Sequence, residues 1–471
     1  MTLEMAITKG AGLPEQAVEA FRATLRGELI GPGDIGYDAA RRVHNGMIDR
    51  HPRLIARCRD VADVIAAVGF GRDHDLMIAV RSGGHSAPGY GTVDDGLVID
   101  LSPMKGIHVD PAARTARVET GCTWGDVDHA THAFGLATPS GFVSTTGVGG
   151  LTLGGGIGHL ARRYGLTIDS ILSADVVLAD SSVVTASPDE HPDLFWAIRG
   201  GGGNFGIVTS FLFRLHPVST VYAGPMIWPL DRAADLLRWY RDFLPTAPED
   251  LGGFFAFLNV PPGPPFPEDL WTQTVVAIVW CYTGPLDDAA ERFATIRSTL
   301  GGPLLDLVGP IPFPAFQALF DPLLPAGIQS YWRADFVKEL TDEAIDRHVE
   351  HGSNLPTLLS TMHLYPMDGA VRRVGRNETA FSYRDTGWLE TIVGFDMDPA
   401  NADVIRNWTI AYWEALHPLS EAGAYVNFMM DEGLDRVRAT YRDNYDRLVE
   451  IKNHYDPTNL FRVNHNILPT A

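Results

Sequence analysis

The first half of the chain alternates short apolar runs with amphipathic segments. RLIARC (53–58), LMIAV (76–80), LVIDL (97–101) and ARVE (116–119) predict strands, since they are short and rich in branched apolar residues. Asp60 stands where it would cap a helix over DVADVIAAVGFGRDHD, whose apolar residues recur at three- and four-residue steps. A helix over Trp124–Phe134 and two strands around a tight turn at 174–187 follow. Mixed strands and helices up to about residue 217 favour an α+β or a mixed α/β fold.

The pattern changes after residue 217 and again near residue 422. Apolar runs such as TVVAIVWCY (274–282) alternate with helical segments such as DEAIDRHVEHG (342–352), which predicts an antiparallel sheet covered by helices. The tail continues with YVNF, read as a strand, and one long helix over LDRVRATYRDNYDRLVEIKNHY. We therefore expect a first domain at 1–217 with its core at about 50–217, a second domain at 218–421, and a tail at 422–471 that returns to the first domain.

Three glycine-rich turns lie in the first domain, at 81–91, 141–158 and 199–206. Glycine lets several backbone N–H groups converge on a long anionic ligand such as a pyrophosphate, whereas the ordinary alternative is three tight loops. GIGHLA (156–161) matches the G-x-G-x-x-A pattern of a Rossmann fold. It does not follow a strand within a βαβ unit, so we reject that fold.

Composition narrows the class of protein and of partner. The 471 residues carry a formal net charge of −21, which disfavours nucleic acid and anionic membranes as partners. The sequence has no run of 18 apolar residues, and the N-terminal MTLEMAITKGAGLPEQ lacks an apolar signal core. Cys58, Cys122 and Cys281 fit neither a metal spacing nor a disulfide framework. We expect a cytoplasmic protein without a metal site, and the oligomeric state stays open.

Five sequence blocks carry a family resemblance. RSGGHS, PSG with TGVGGLTLGGGIG, RGGGGNFGIVTSF, YVNF and KNHYDPTNLFRVNHNI occur in the order seen in the berberine bridge enzyme-like and 6-hydroxynicotine oxidase-like FAD-linked oxidases. These belong to the vanillyl-alcohol oxidase superfamily, which has a PCMH-type FAD-binding fold. The resemblance extends from about residue 35 to residue 469.

The resemblance implies an oxidase that transfers a hydride from a small organic molecule to N5 of FAD. The substrate would be an alcohol, an amine or an activated C–H compound, and molecular oxygen would accept the electrons and yield hydrogen peroxide. Two alternatives stay open: a dehydrogenase of the same fold that uses another electron acceptor, and a flavin-binding protein without turnover.

His85 takes the place at which relatives bond a histidine to the 8α-methyl group of FAD. Many relatives add a second bond through a cysteine in the segment that here reads GFVSTTGVGG, and Val143 stands at the cysteine position. The resemblance therefore implies one 8α-histidyl link, and a turn histidine beside noncovalent FAD is the alternative. Thr146 stands at a position that lines the oxygen side of the flavin in relatives, where valine or isoleucine is frequent.

The resemblance also implies a set of cofactor-binding residues from the glycine blocks and the tail. In the tail, an extended RVNHNI segment would point both asparagines to the flavin and His465 away from it. The implied set is Arg81, Ser82, Gly83, Gly84, His85, Ser86, Gly89, Tyr90, Ser140, Gly141, Thr145, Thr146, Gly147, Gly149, Gly150, Gly154, Gly155, Gly156, Gly158, Gly206, Val208, Asn427, Asn464 and Asn466.

Two side chains are candidates for removing the substrate proton. Tyr425 lies in YVNF, whose counterpart in alcohol-oxidising relatives supplies a tyrosine base, and alternation puts Asn427 on the same face. STMHLYP (360–366) alternates too, and places His363 with Thr361 and Tyr365. His363 is either the base itself or the activator of Tyr425, and a histidine at a domain interface is the alternative. Weaker candidates are Arg333, Asp335, Tyr383 and Arg384, the last expected to be structural.

Overall fold

The computed structural model describes residues 13–470. Residues 1–12 and Ala471 lie outside the described residues. Most of the N-terminal segment that is predicted to lack a signal core therefore lies outside them too. The strands are β1 (Glu28–Ile30), β2 (Leu54–Arg57), β3 (Ile78–Arg81), β4 (Leu97–Asp100), β5 (Ile107–Asp110), β6 (Thr115–Glu119), β7 (Leu136–Ala137), β8 (Ile171–Val177), β9 (Val183–Ala186), β10 (Ile207–Arg214), β11 (His216–Pro217), β12 (Thr220–Pro229), β13 (Leu251–Asn259), β14 (Thr274–Tyr282), β15 (Leu305–Asp306), β16 (Gly309–Pro312), β17 (Gln329–Val337), β18 (Thr361–Pro366) and β19 (Trp388–Asp396).

The helices are spread over the whole described chain. They are α1 (Glu15–Thr24), α2 (Tyr37–Arg41), α3 (Val61–Asp73), α4 (Trp124–His132), α5 (Val148–Leu153), α6 (Ala161–Tyr164), α7 (Pro192–Ala197), α8 (Ala233–Phe243), α9 (Leu286–Leu300), α10 (Phe313–Gln317), α11 (Asp342–Gly352), α12 (Ala402–Leu416), α13 (Leu434–Tyr441) and α14 (Tyr445–Tyr455). Between residues 13 and 470, none of them has the length and apolar composition needed to cross a membrane.

The chain up to residue 217 forms two large sheets and one two-stranded antiparallel sheet of β7 and β11. The first has the order β1–β2–β4–β3, with β4 parallel to both β2 and β3, and the second is antiparallel in the order β5–β6–β10–β8–β9. Leu97 and Ile99 of β4 join a core with α3, whereas Val98 packs with Tyr37 on the other face. Both faces of β4 are therefore buried, which explains its continuous apolar run. Asp60 caps α3, as predicted, by accepting the N–H of Asp63 at 3.1 Å.

The second half is built on an eight-stranded antiparallel sheet, as the sequence predicts. Its order is β15–β12–β14–β13–β18–β19–β17, and β16 pairs with β12. One face packs against α8, α9, α11 and α12, and the opposite face shares a core with the β5–β6–β10–β8–β9 sheet. The α+β prediction is confirmed. We propose the division into 1–217, 218–421 and 422–471, supported by the change of sheet between β11 and β12.

Two predictions for the tail are wrong. YVNF does not form a strand, because Val426–Phe428 is one 3₁₀ turn in which the N–H of Phe428 donates to the carbonyl of Tyr425 at 2.8 Å. A four-residue alternation is too short to distinguish a strand from such a turn. The helix predicted after it is divided into α13 and α14, because Arg442 has a φ of 47° and interrupts the helical backbone.

The tail is anchored to the first domain by a buried ion pair. The ammonium group of Lys452 donates to Asp456 at 2.6 Å, to the carbonyl of Asn204 at 2.7 Å and to that of Phe461 at 3.1 Å. Asp456 also accepts the N–H groups of Leu460 and Phe461. Both charged side chains are fully buried. The pair thus connects α14, the third glycine turn and the chain that follows α14.

Removing the lysine should destabilise the protein strongly. We expect Lys452→Met to lower the free energy of unfolding by about 3–5 kcal/mol, because Asp456 would remain as a buried charge without a partner. Lys105→Met is the control, since its ion pair with Asp126 is exposed, and such a pair contributes about 0–1 kcal/mol. Urea-induced unfolding of both variants measures the difference, and equal losses would contradict this description of the tail.

Candidate active site

One cavity lies between the glycine turns and the eight-stranded sheet. We call its first side the glycine wall, which consists of the cavity-bordering residues within 81–91, 141–154 and 202–208 other than Phe142. The second side is the aromatic wall, which comprises Phe142, Phe254, Phe320, Trp332, His363, Tyr365, Phe395 and Phe428. The cavity therefore joins the glycine motifs to strands β13, β17, β18 and β19.

The glycine wall depends on a backbone contact between two turns. A Cβ atom on Gly83 would lie 2.3 Å from the nitrogen of Gly147, and one on Gly147 would lie 2.2 Å from the nitrogen of Gly83. Both distances are far below van der Waals contact, so only glycine fits at either position. The hydroxyl of Ser82 accepts the N–H of Gly149 at 3.3 Å across the same junction.

The glycine wall offers free backbone donors. Within residues 13–470, the N–H groups of Gly83, Gly84, His85 and Ser86 make no hydrogen bond to another protein group. Successive free N–H groups bind phosphate oxygens, and the small side chains leave room for the rest of a dinucleotide. In the same cavity, the buried Oδ1 of Asn464 has no hydrogen-bond partner among the described residues. These groups fit FAD.

His85 stands in the glycine wall as a neutral imidazole. Its ring stacks on that of His44 with centroids 4.0 Å apart, and its Nε2 lies 3.3 Å from the hydroxyl of Thr145. Burial, together with the nearby His44, lowers the pKa of His85 to about 3. At neutral pH the ring therefore keeps a lone pair on one nitrogen.

Most of the predicted cofactor-binding residues border this cavity. They are Arg81, Ser82, Gly83, Gly84, His85, Ser86, Tyr90, Gly141, Thr146, Gly147, Gly149, Gly150, Gly154, Gly206, Val208, Asn427 and Asn464. The other predicted residues lie behind the cavity surface, and they are Gly89, Ser140, Thr145, Gly155, Gly156, Gly158 and Asn466. Thr145 nevertheless contacts His85, and Gly156 contacts Tyr425.

The glycines behind the surface are required by packing. A Cβ atom on Gly89 would lie 2.7 Å from the side chain of Ile48, and one on Gly158 would lie 2.2 Å from the carbonyl oxygen of Ser140. Sequence alone does not separate such glycines from those that face a ligand, because both types occur in the same blocks.

The tail is bent where it borders the cavity, whereas the sequence predicts an extended segment. Asn464 and His465 border the cavity and Asn466 does not, because residues 463–465 form a bend and the side chains do not alternate. The ring of His465 stands edge-on to that of Tyr90, with centroids 5.1 Å apart. The site residues absent from the prediction include Gly202, Gly203 and Asn204. The glycine-rich turn at 199–206 is the sequence signal that identifies these three residues as candidates.

Tyr425 and Asn427 are brought together, as predicted. Tyr425 is 2% exposed, and its hydroxyl oxygen accepts the N–H of Gly156 at 2.8 Å and an amide N–H of Asn427 at 2.7 Å. Burial raises the pKa of Tyr425 to about 12, while both hydrogen bonds act in the opposite direction. The two donors stabilise negative charge on this oxygen.

His363 pairs with Tyr365 rather than with Tyr425. Nδ1 of His363 lies 2.6 Å from the hydroxyl of Tyr365, and both side chains face the cavity from β18. Burial lowers the pKa of His363 to about 4 and raises that of Tyr365. The predicted activation of Tyr425 by His363 lacks the hydrogen bond it requires. Thr361 does not border the cavity.

The four weaker candidates lie away from the cavity. Arg333 and Asp335 occupy the opposite face of β17, where Asp335 forms ion pairs with α13 and with the segment after α12. Arg384 donates to both oxygens of Asp169 at 2.8 Å and is structural, as expected. Tyr383 donates to backbone carbonyls. Between residues 13 and 470, no group of three or more histidine, cysteine or acidic side chains could hold a metal ion.

Comparison with known proteins gives the class of protein. Residues 52–187 match the FAD binding domain family, and residues 424–468 match the berberine and berberine-like family. The chain is 32% identical over 462 residues to an FAD-linked oxidoreductase of Dictyostelium discoideum, which covers 96% of this chain and 97% of that protein. It is 31% identical over 461 residues to (R)-6-hydroxynicotine oxidase of Paenarthrobacter nicotinovorans, covering 95% and 97%.

A solved structure agrees with these matches. The crystal structure of 6-hydroxy-D-nicotine oxidase from Arthrobacter nicotinovorans matches with a TM-score of 0.83 at 30% identity, over 94% of this chain and 98% of that chain. The chain therefore belongs to the FAD-linked oxidoreductases with a PCMH-type FAD-binding fold. Within that class it belongs to the berberine bridge enzyme-like and 6-hydroxynicotine oxidase-like family, and it is an enzyme that uses FAD.

A side chain that fills the glycine wall should prevent FAD binding without unfolding the protein. Gly150 borders the cavity, and a Cβ atom there has no neighbour within 4 Å. We expect Gly150→Leu to lower the ratio of flavin to protein at least about tenfold, because the side chain would occupy the ligand's space. Gly33→Leu is the control, since its Cβ position is also open and it lies outside the cavity. Flavin absorbance and far-ultraviolet circular dichroism measure both effects, and normal flavin content in Gly150→Leu would contradict the placement.

Proposed function

We propose that the protein is a cytoplasmic oxidase with FAD attached covalently through His85 alone. It oxidises an alcohol, an amine or an activated C–H of a small organic molecule and passes the electrons to molecular oxygen, which yields hydrogen peroxide. The observation that carries this proposal is one cavity that joins His85 and the free N–H groups to Tyr425 and His363.

The single covalent link is supported by the residues around His85. Its neutral ring has a nitrogen lone pair for bonding to the 8α carbon of FAD. Val143 borders the cavity where relatives carry the second linking cysteine. Cys58, Cys122 and Cys281 are free and buried, and none of them borders the cavity. These buried free thiols also support a reducing compartment.

FAD, when bound, accepts two electrons from the substrate as a hydride equivalent at N5. The chain itself must orient the substrate, exclude water and take up the substrate proton. We assign proton uptake to Tyr425, because the N–H groups of Gly156 and Asn427 stabilise its oxygen when it is negatively charged. His363 and Tyr365 form a second polar pair that positions the substrate.

The electron acceptor is decided by a direct measurement. Thr146 borders the cavity with a hydroxyl where relatives often carry an aliphatic side chain, and this observation favours the dehydrogenase alternative. Oxygen consumption with stoichiometric peroxide release during substrate turnover is the expected result. Turnover with an artificial electron acceptor but not with oxygen would contradict the oxidase proposal and favour the dehydrogenase.

Covalent attachment through His85 has a simple test. We expect denatured protein to retain yellow-green flavin fluorescence on a gel, and a peptide that contains His85 to carry the mass of FAD. His85→Ala should lose the attached flavin, whereas His74→Ala, which lies outside the cavity, should keep it. Release of free flavin from the denatured unaltered protein would contradict the proposal.

Replacing the proposed base should slow flavin reduction. We expect Tyr425→Phe to reduce the anaerobic rate of flavin reduction by about 10²–10⁴, the usual effect of losing a general base. Tyr383→Phe is the control, since it removes a hydroxyl from a buried tyrosine outside the cavity. Stopped-flow absorbance measures these rates.

The pH dependence separates the two candidate bases. Only the deprotonated tyrosine accepts a proton, and its pKa is raised to about 12, so the rate should increase with pH throughout the accessible range. With His363 as the base, the rate would be constant above about pH 5, because its pKa is lowered to about 4. A flat profile, with Tyr425→Phe within about threefold of the unaltered enzyme, would transfer the assignment to His363.

A further inference from the structure

We infer that the site takes a neutral aromatic substrate with one polar group, and that it discriminates against charged compounds and sugars. This inference rests on the proposed function and specifies its substrate class. It depends on three properties of the cavity: the arrangement of its rings, its lack of charge and the engagement of its polar groups.

The aromatic wall is a set of stacked rings. The rings of Trp332 and Phe428 are stacked with centroids 5.2 Å apart, and those of Phe142 and Tyr365 with centroids 4.4 Å apart. Phe254 lies 5.2 Å from Tyr365 at a tilted angle. Neighbouring rings held at these distances present flat faces and edges of the kind that pack against another aromatic ring.

The wall has this composition because strand alternation separates two environments. Phe254 faces the cavity from β13, while the neighbouring Phe255 packs into the core beneath the helices. On β18, His363 faces the cavity and Leu364 packs into that same core. The rings carried by β13, β17, β18 and β19 are therefore fixed by a regular sheet, which limits how far they can move to accommodate a different ligand.

The cavity offers no charge to bind an ion. Among the described residues that border it, Arg81 is the only one with a formal charge, and it belongs to the glycine wall and pairs with Asp100 at 2.8 Å. His363 is neutral at physiological pH because burial lowers its pKa to about 4. A carboxylate or ammonium group beside the aromatic wall would lose its hydration without gaining an ion-pair partner, which is unfavourable.

Two pairs of polar side chains on the substrate side of the cavity are hydrogen-bonded to each other. His363 is bonded to Tyr365, and Asn427 is bonded to Tyr425. A sugar brings many hydroxyl groups, and each one buried without a partner would cost free energy. One hydroxyl or amide group of a ligand can be accommodated at these pairs, while its aromatic part contacts the rings. This combination defines the neutral aromatic class.

The inference is tested by measuring how ligands that cannot be oxidised bind to the enzyme that carries its flavin. Naphthamide and naphthoate have the same naphthalene ring and a similar shape, but naphthamide is neutral and naphthoate is charged. Cellobiose represents the sugars. We expect naphthamide to perturb the flavin absorbance spectrum with a dissociation constant at least about tenfold below that of naphthoate, and cellobiose to cause no saturable change. Binding of naphthoate or cellobiose as tight as that of naphthamide, or no binding of naphthamide, would overturn the inference.

A matched pair of tryptophan variants locates the binding. Trp332→Ala should weaken naphthamide binding by about tenfold or more, as expected for a buried aromatic contact. Trp271→Ala removes a tryptophan outside the cavity and should leave binding unchanged. Equal binding by Trp332→Ala and the unaltered enzyme would overturn the inference. Where Trp332→Ala fails to fold, the order of the three ligands on the unaltered enzyme decides the question.

Turnover separates this inference from the proposed function. Flavin reduction by naphthyl methanol is measured anaerobically beside the binding titrations. If naphthamide binds selectively but no alcohol, amine or activated C–H compound reduces the flavin, the oxidase proposal fails and the ligand class stands. If a sugar reduces the flavin and naphthamide does not bind, the ligand class fails and the oxidase proposal stands.

Discussion

The site depends on the backbone contact between Gly83 and Gly147. Two turns that are distant in sequence approach so closely that a Cβ atom on either glycine would overlap the other backbone. The contact places His85, on one turn, beside Thr145, on the other. Within residues 13–470, the N–H groups of residues 83–86 on the first turn make no hydrogen bond to another protein group. Loss of the contact would separate the proposed attachment residue from the groups that fit the rest of the cofactor.

Burial determines the charge state of the groups around the cavity. Removal from water lowers the pKa of His85 and His363 and raises that of Tyr425. A fully buried ion pair lies elsewhere, between Lys452 and Asp456 beneath the tail. The protein thus uses buried charge to hold its segments together, and it keeps the substrate side of the cavity neutral.

Much of the fold and the glycine wall could be predicted because local chemistry determines them. The cap at Asp60 and the apolar run of β4 follow from short-range rules, and the glycine blocks mark the places where backbone meets ligand or backbone. The failures at the cavity have another origin, because they concern how segments distant in sequence meet. The turn at Tyr425 is held by Gly156, and the choice between His465 and Asn466 depends on a bend after α14.

The central claim is that one cavity holds a flavin attached to His85 together with the substrate, between the glycine wall and the aromatic wall. The most direct test is a crystal structure of the enzyme with its flavin and with naphthamide. The account predicts electron density for FAD that is continuous with the His85 ring, and naphthamide against the rings of Trp332 and Tyr365. FAD density that ends short of His85, or naphthamide bound outside this cavity, would contradict it.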